Sequence, residues 1–184
     1  MELNPSTSFW AGVNKSVFGR ETYETPNGCK VTVKTGTGKV EVNEDGTINV
    51  SDAEKLRIYD SKNDDKIKVT NSDVQTIRIG KGNDFLLLDG CNLNDYKLFK
   101  GGTTIITYGS KKGCANIMVN GDFHGNISAQ QGAGRGYGDD KDAHKDNILI
   151  NGNNFGTINI DTHDKVAIKG AEKGHIVNHT VYYI

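Results

Sequence analysis

Residues 51–58 have the sequence SDAEKLRI, and 21 positions later residues 72–79 have the sequence SDVQTIRI, which aligns without a gap. Asparagine-acid pairs repeat at a similar interval, at Asn43-Glu44, Asn63-Asp64 and Asn83-Asp84. A fixed period of this size is typical of a solenoid, in which each coil buries its apolar edge against its neighbours. Asparagines at the same place in consecutive coils also predict ladders of stacked side-chain amides. The repeat therefore predicts a β-solenoid with coils of about 20 residues.

Apolar residues at positions i and i+2 occur in pairs along most of the chain, which is the pattern of half-buried β-strands. The residue between the members of a pair is mostly polar, so one face of each strand points inward and the other outward. The predicted inward pairs are Val31/Val33, Val40/Val42, Ile48/Val50, Leu56/Ile58, Ile67/Val69, Ile77/Ile79, Leu86/Leu88, Ile117/Val119, Ile148/Ile150, Ile158/Ile160 and Val166/Ile168. We predict an all-β fold, a right-handed parallel β-helix with two strands per coil; three strands per coil is an alternative. Strands that follow each other this closely along the chain also occur in an antiparallel β-sandwich, which is the alternative fold.

Residues 1–28 are predicted to cap the solenoid, because an uncovered end would expose unpaired strand edges to other chains. An amphipathic helix after the N-cap Ser8 is predicted from apolar residues at helical spacing, which are Phe9, Trp10, Val13 and Val17. Residues 29–184 then form the solenoid itself. Residues 180–184, TVYYI, either close its other end or form a final strand.

Residues 130–146 contain no inward pair and are predicted to leave the solenoid as a loop rich in Gly and Asp. Long loops on a rigid scaffold often carry function, so this loop is a candidate site. Its candidate metal ligands or acid-base groups are Asp139, Asp140, Asp142 and His144. Its glycines do not match a dinucleotide-binding fingerprint. A Gly- and Asp-rich excursion without a ligand explains the same composition.

The bulk composition argues against several classes of function. A formal net charge of −1 provides no overall field to attract nucleic acid or an anionic membrane. No apolar run is long enough to span a membrane, and the N-terminal residues lack the basic and apolar regions of a cleaved signal peptide. We therefore expect a cytoplasmic protein, or one exported without a cleaved signal by a type III-like route. The N-terminal run NPSTS is compatible with such a route.

The three cysteines, Cys29, Cys91 and Cys114, are odd in number and lack CxxC spacing. This pattern predicts reduced, packed thiols rather than a disulfide framework or a zinc site. No cofactor is predicted from any motif in the chain.

Residues 80–86, GKGNDFL, resemble one repeat of the calcium-binding repeats-in-toxin β-roll, whose signature is Gly-Gly-x-Gly-x-Asp-x-apolar-x. The resemblance covers one coil and departs from the family at Lys81, where the second glycine would stand. Residues 29–184 are similar in architecture to the right-handed parallel β-helix proteins of bacteria. That group includes polysaccharide lyases and hydrolases, adhesins and secreted virulence proteins. The similarity implies a rigid repetitive scaffold and carries no catalytic motif onto any residue of this chain.

Arg57 and Arg78 occupy equivalent positions in the aligned octapeptides, so their backbones are expected about 4.8 Å apart on the outer face. Stacked like charges repel each other, and one interpretation is an anion-binding strip that would face uronate carboxylates of a polysaccharide. The other interpretation is two solvated side chains that splay apart beside Glu54.

Four aspartates at predicted turns are candidate oxygen ligands for calcium: Asp64, Asp65, Asp84 and Asp89. Acidic turn residues also hydrogen-bond their own backbone, and the sparse glycines favour that simpler role, so no metal site is predicted. His163, flanked by Asp161 and Asp164, is a candidate general base, but turns collect these residue types routinely.

Three outward positions are apolar where other strands have polar residues: Leu87, Met118 and Leu149. Isolated exposed apolar residues are ordinary, but a contiguous patch usually marks an interface or a covered surface. These residues therefore predict a face that is covered by another segment of the chain or by another subunit in a homo-oligomer.

Two functions follow from these observations. The first is a non-catalytic binding protein, a bacterial secreted or virulence-associated factor that engages a protein or glycan partner through Arg57, Arg78, Leu87, Met118 and Leu149. The second is a polysaccharide lyase or hydrolase of the parallel β-helix type, which would use the arginine face or residues 130–146. The short chain and the lack of a convergent acid-base pair favour the first.

Overall fold

The computed structural model describes residues 12–16, 19–93, 103–107, 114–129, 145–161 and 163–178. Within these ranges the regular secondary structure consists of β-strands alone, with no helix, so the predicted all-β class is confirmed. The strands are β1 (Gly12–Ser16), β2 (Arg20–Glu24), β3 (Lys30–Lys34), β4 (Lys39–Val42), β5 (Ile48–Ser51), β6 (Leu56–Tyr59), β7 (Lys66–Thr70), β8 (Val74–Ile79), β9 (Asn83–Asp89), β10 (Thr104–Thr107), β11 (Cys114–Asn120), β12 (Asn126–Ser128), β13 (Asn147–Ile150), β14 (Thr157–Ile160), β15 (Lys165–Ile168) and β16 (His175–Asn178).

The strands form two sheets, and from β5 onward the chain alternates between them. The nine-stranded sheet has the order β1-β2-β3-β6-β8-β10-β12-β14-β16, and the seven-stranded sheet has the order β4-β5-β7-β9-β11-β13-β15. Neighbouring strands are parallel from β6 to β16 in the first sheet and from β5 to β15 in the second. Each repeat thus supplies one strand to each sheet. The parallel pairing rules out the antiparallel sandwich and is consistent with a β-solenoid.

The repeat length is not uniform. Successive register partners in the seven-stranded sheet are Ile48, Ile67, Leu86, Ile117, Ile148 and Val166. The first two steps have the same length, the next two are clearly longer, and the last is again short. The longer repeats contain residues 94–102, 108–113 and 130–144, which lie outside the described ranges. A basic unit slightly shorter than the predicted period, with insertions between strands, therefore builds the array.

The octapeptides that reveal the repeat do not pair in their aligned register. The alignment places Ile58 opposite Ile79, whereas Ile58 pairs with Ile77 in the structure. A register shift between Leu56 and Arg57 accommodates one additional residue of β8. Both sheets must share one repeat length, and the pairing of Ile48 in β5 with Ile67 in β7 sets that length. The offset suggested by sequence identity is therefore two residues too long.

The predicted N-terminal helix is wrong where the structure describes this segment. Gly12–Ser16 is a strand that pairs antiparallel with β2, and β2, β3 and β6 continue this antiparallel pairing. β4 likewise pairs antiparallel with β5, so parallel stacking starts at Ile48 rather than at Cys29. Added strands give backbone groups at a sheet edge their hydrogen-bond partners, which a helix does not provide. Three residues of the predicted helix, Phe9, Trp10 and Val17, and the terminal run 180–184 lie outside the described residues.

The core lies between the two sheets and is filled by the predicted inward pairs. All pairs from Val31/Val33 to Ile158/Ile160 are buried, except that Val42 is partly buried. Val166 and Ile168, in the outermost strand of the seven-stranded sheet, are partly buried and pack against this core. A fully buried Ile or Leu side chain stabilises the fold by roughly 1.5–3 kcal/mol. The period-two pattern in the sequence thus identifies the core correctly.

Candidate functional site

The three predicted outward apolar residues lie side by side on the seven-stranded sheet. Met118 in β11 is the register partner of Leu87 in β9 and of Leu149 in β13. All three point away from the core, because the residues on either side of each are buried while they are only partly buried. Adjacent strands are about 4.8 Å apart, so this column spans about 10 Å across the sheet. The structure therefore brings three residues together in one surface, although each is 31 positions from the next in the sequence.

Two further apolar residues extend this column. Phe85 precedes Leu87 by two positions on the same face of β9 and is 39% exposed. Ala167 in β15 is exposed and is the register partner of Leu149. We call these five residues the outer apolar face: Phe85, Leu87, Met118, Leu149 and Ala167. Neither residue was predicted from the sequence. Phe85 could have been, because it lies two positions before Leu87 on the same strand. Ala167 could not, because only the strand register places it beside Leu149.

Asparagine ladders border the outer apolar face on both sides. Asn147 Nδ2 donates to Asn116 Oδ1 at 3.0 Å, two residues before the Met118–Leu149 pair. Asn151 Nδ2 donates to Asn120 Oδ1 at 2.7 Å on the other side. These are stacked amides of the kind that the repeat predicts. They give the apolar centre a polar rim.

The predicted ladder of Asn63 and Asn83 does not form. The observed register places Gly82 beside Asn63, and a Cβ on Gly82 would lie 2.5 Å from the Asn63 carbonyl oxygen. Gly82 also has a φ of +132°, which only glycine adopts readily. Asn83 instead donates its backbone N–H to Asp64 Oδ1 at 2.9 Å. The glycine of the repeats-in-toxin resemblance therefore serves close stacking of two turns.

Lysines flank the outer apolar face at both ends of the column. Lys66 and Lys68 lie in β7, beside the β9 end. Lys165 lies in β15 and Lys169 directly follows that strand, at the other end. All four are exposed, and within the described ranges none of them is in an ion pair. Within strands β7 to β15, Asp89 of β9 is the acidic residue that shares this face.

Arg57 and Arg78 do not form the predicted column. Arg57 pairs with Thr76 and Arg78 pairs with Tyr59, so the two arginines are diagonal neighbours on the nine-stranded sheet. Arg57 Nε donates to Gln75 Oε1 at 3.0 Å. The Arg78 guanidinium carbon lies 5.2 Å from the centre of the Tyr59 ring. Each side chain has its own partner, and both lie on the sheet opposite the outer apolar face.

Three carboxylates meet inside the fold where β6 ends and where β7 and β9 begin. One oxygen from each of Asp60, Asp65 and Asp84 lies within 4.8 Å of the other two. Asp65 and Asp84 are 6% and 2% exposed. Ser61 Oγ donates to Asp65 Oδ2, and the Asp65 N–H donates to Asp84 Oδ1 at 3.0 Å. We call these three aspartates the acidic cluster.

Burial raises the pKa of Asp60 to about 9, and the hydrogen bond to Asp65 and the charges of Asp65 and Asp84 act in the same direction. The raised pKa favours a protonated Asp60, which can donate a hydrogen bond to Asp65. The pKa of the Cys29 thiol is also raised, by burial first and then by these carboxylates. Carboxylate oxygens suit a divalent cation, but a protonated Asp60 and the internal hydrogen bonds already account for this arrangement.

The four aspartates considered as calcium ligands are not brought together. Asp65 and Asp84 join the acidic cluster, whereas Asp64 accepts a backbone hydrogen bond in the turn and Asp89 faces outward. Sequence reasoning missed Asp60. Its signal was its position two residues after Ile58, which continues the inward alternation of β6.

Aspartate side chains also replace a missing main-chain acceptor where strands of the seven-stranded sheet begin. The Ala115 N–H donates to Asp146 Oδ1 at 2.8 Å, and the Asp146 N–H donates to Asp164 Oδ1 at 2.9 Å. The Asp65 N–H donates to Asp84 Oδ1 in the same way two repeats before the Ala115–Asp146 bond. Buried N–H groups need such partners, so this aspartate column is structural.

His163 lies in a turn together with its two acidic neighbours. Its N–H donates to Asp161 Oδ1 at 2.8 Å, and its Nδ1 lies 3.6 Å from the same oxygen. The Asp161 N–H donates to Asp164 Oδ2 at 3.0 Å. Burial raises the pKa of Asp164 to about 6. These bonds match the turn role rather than that of a general base.

Most of the predicted loop 130–146 lies outside the described residues, including its candidate groups Asp139, Asp140, Asp142 and His144. Asp146 is described and is fully buried. Because Asp146 belongs to the aspartate column, it is not available to a ligand site in the loop.

A second exposed column lies on the connections that lead into the nine-stranded sheet. The rings of His124 and Phe155 stack at 4.6 Å, and Lys173 Nζ lies 5.1 Å from the centre of the Phe155 ring. Close stacking requires Gly156, where a Cβ would lie 2.3 Å from the Gly125 carbonyl oxygen. Sequence reasoning missed the signal, a Gly-x-x-x-Gly pattern at 121–125, 152–156 and 170–174. The Phe155 ring is engaged by both neighbours, so the column stabilises the array.

No family model, no curated protein and no solved structure matches this chain. Among the residues that the structure describes, no helix has the length and apolarity needed to cross a membrane. The three cysteines are free thiols; Cys29 is buried, whereas Cys91 and Cys114 are only partly buried.

Proposed function

We propose that the protein is a non-catalytic binding module, a right-handed β-solenoid that holds a protein or glycan partner against the outer apolar face. The observation that carries the proposal is the register of Leu87, Met118 and Leu149, which makes three outward apolar residues contiguous. A contiguous apolar patch with a polar rim is the usual anatomy of an interface. Here the asparagine ladders and the flanking lysines supply that rim.

The scaffold suits this role because the face lies mainly on the interior strands β9, β11 and β13, each of which has a strand on both sides. Backbone ladders and side-chain amide bonds hold the surface in one conformation. A preorganised surface loses little conformational entropy when a partner binds.

The proposed solenoid course of the chain is supported by the alternation of parallel strands between two sheets. The right hand rests on a general preference, because strands of L-residues twist so that crossovers between parallel strands are nearly always right-handed.

The non-catalytic part of the proposal rests on where the titratable groups lie. Asp65 and Asp84 of the acidic cluster are enclosed in the fold, and His163 is tied to Asp161. A lyase or hydrolase needs an acid and a base that converge on an accessible substrate. The arginines that would have bound a polysaccharide point toward separate partners.

The proposal is tested by selecting ligands from a displayed peptide library and a glycan array with the wild-type protein. Met118→Asn removes the centre of the outer apolar face. Ile106→Asn is the matched control, because Ile106 is also a partly buried outward residue of an interior strand, on the nine-stranded sheet. We expect the selected ligands to bind Met118→Asn at least about tenfold more weakly and to bind Ile106→Asn like the wild type.

Melting curves of both variants establish that they are folded. Ligands that bind the two variants equally well would place the binding surface elsewhere and refute the proposal. Cleavage of an arrayed glycan would refute it in favour of a lyase or hydrolase.

A further inference from the structure

We propose that the partner segment held by the outer apolar face is an acidic amphipathic α-helix that lies across the strands. This inference rests on the proposed function and adds the chemistry and orientation of the partner. Its basis is the spacing of the apolar side chains and the distribution of charge around them.

The spacing of the column matches a helix better than an extended chain. Leu87, Met118 and Leu149 follow each other across the strands at about 4.8 Å per step, or about 10 Å in all. Helix residues i, i+4 and i+7 lie on one face and span about 10.5 Å. Same-face residues of an extended chain are about 6.7 Å apart and would span about 13 Å. A helix therefore places one apolar residue over each member of the column.

The charges at the two ends of the column indicate an acidic partner. Lys66 and Lys68 lie four strands away from Lys165 and Lys169, a separation of about 19 Å. A helix of about 13 residues covers that distance. Acidic residues near both ends of such a helix would then meet a pair of lysines. Between these two ends, Asp89 is the opposing charge on the strands that carry the face.

The lysines are available for this role. Lys68, Lys165 and Lys169 are exposed and have no ion pair within the described ranges. Lys66 interacts with Asp45, whose pKa is lowered first by hydrogen bonds from Thr47 and then by this lysine. Lys68, Lys165 and Lys169 therefore contribute most of the electrostatic attraction for an acidic partner.

Other occupants fit the surface less well. A second copy docked through the same face would bring lysine-bearing ends together, because both ends of the column are positive. A membrane surface requires apolar side chains that protrude into the lipid. Leu87, Met118 and Leu149 instead lie partly buried within a sheet surface.

The test uses the full chain and a fluorescein-labelled peptide of about 14 residues, stapled so that it stays helical. The peptide carries Leu at i, i+4 and i+7 and two Glu at each end; a control peptide carries Lys in place of each Glu. We expect the acidic peptide to bind at least about tenfold more tightly in anisotropy titrations. The difference should shrink as salt concentration rises, because exposed charges are screened.

The matched variant replaces all four lysines, Lys66→Glu, Lys68→Glu, Lys165→Glu and Lys169→Glu, which retains the apolar residues and reverses the charge at both ends. We expect this variant to prefer the lysine peptide by a similar factor. Leu87→Asn, in a protein that keeps all four lysines, should weaken the binding of the acidic peptide. Circular dichroism checks that each variant is folded.

Equal affinity of the wild type for the two peptides, an unchanged preference in the charge-reversed variant, or binding of neither peptide refutes the helix inference. Preferential binding to phosphatidylserine vesicles that is lost in the charge-reversed variant would refute it in favour of a membrane surface. If library or glycan ligands depend on Met118 while the acidic peptide fails, the proposed function stands and this inference alone is wrong.

Discussion

Asp146 Oδ1 accepts a hydrogen bond of 2.8 Å from the backbone N–H of Ala115, 31 residues earlier in the chain. The other oxygen of Asp146 accepts a hydrogen bond of 2.5 Å from Thr107 Oγ1. Ala115 lies in β11 and Thr107 in β10, so one buried side chain links the two sheets. Such links occupy the places where the chain crosses from one sheet to the other and backbone pairing alone leaves a donor without an acceptor.

Asp146→Ala is expected to lower the free energy of unfolding by about 2–6 kcal/mol, because the Ala115 N–H and the Thr107 hydroxyl stay buried without their acceptor, at about 1–3 kcal/mol for each group. Asp146→Asn retains one acceptor oxygen and should cost less. Urea denaturation measures both variants. An Ala variant with the wild-type midpoint would show that water or another group satisfies these donors.

Ile77→Asp is expected to unfold the central repeats. Ile77 is fully buried, and an unpaired carboxylate in that core costs several kcal/mol. Arg78→Ser, at the next position, is the matched control: Arg78 is exposed, and its stacking on Tyr59 is worth about 0.5–1 kcal/mol. Thermal melting distinguishes the two. A folded Ile77→Asp protein with an unchanged melting temperature would mean that this strand face meets water.

Asp60→Asn is expected to flatten the dependence of stability on pH. The folded pKa of Asp60 is about 9 and lies above its unfolded value, so the folded state binds more protons than the unfolded state. The contribution of this group is therefore fully present below about pH 4 and declines as pH rises toward 9. The Asn amide is neutral and can donate to Asp65 as the protonated acid does.

Urea denaturation of wild type and Asp60→Asn between pH 4 and pH 9 checks this expectation, and the advantage of the variant should grow with pH. Asp164, with a pKa of about 6, should add a smaller decline that ends near that pH in both proteins. A wild-type protein that gains stability relative to the variant as pH rises would contradict the raised pKa of Asp60.

Leu87→Lys and Met118→Lys are expected to leave the molecular mass unchanged. The outer apolar face is flanked by lysines at both ends, which disfavours pairing of two copies through it. Both side chains are only partly buried, so the melting temperature should fall by no more than a few degrees. Light scattering and thermal melting measure the two effects. A fall in mass would identify the face as a subunit interface, and a large fall in melting temperature at constant mass would identify an internal cover.

Calcium is not expected to drive folding. The candidate ligands Asp64 and Asp89 are separated from Asp65 and Asp84, and Asp64 already binds the Asn83 N–H. Circular dichroism spectra with calcium and with a chelator should therefore be the same. A change from coil to strand on adding calcium would instead make the acidic cluster, or aspartates outside the described residues, a metal site.

Much of the fold could be predicted from local patterns. Pairs such as Ile117/Val119 identify strands and their inward faces, because alternation of side chains along a strand is a property of a few consecutive residues. The outward Leu87, Met118 and Leu149 follow from the same alternation. The antiparallel strand Gly12–Ser16 was missed because its sequence also fits a helical spacing.

The amino-acid sequence by itself determined which residues face the core and which face outward, since each strand encodes its own alternation. The tertiary structure decided which outward residues become neighbours. Sequence identity suggested that Arg57 and Arg78 stack, yet the repeat length shared by both sheets places Arg57 beside Thr76. The same non-local pairing places Met118 between Leu87 and Leu149, across insertions whose length no local pattern reveals. Register depends on the hydrogen bonding of the whole array, and therefore only the folded chain assembles the outer apolar face.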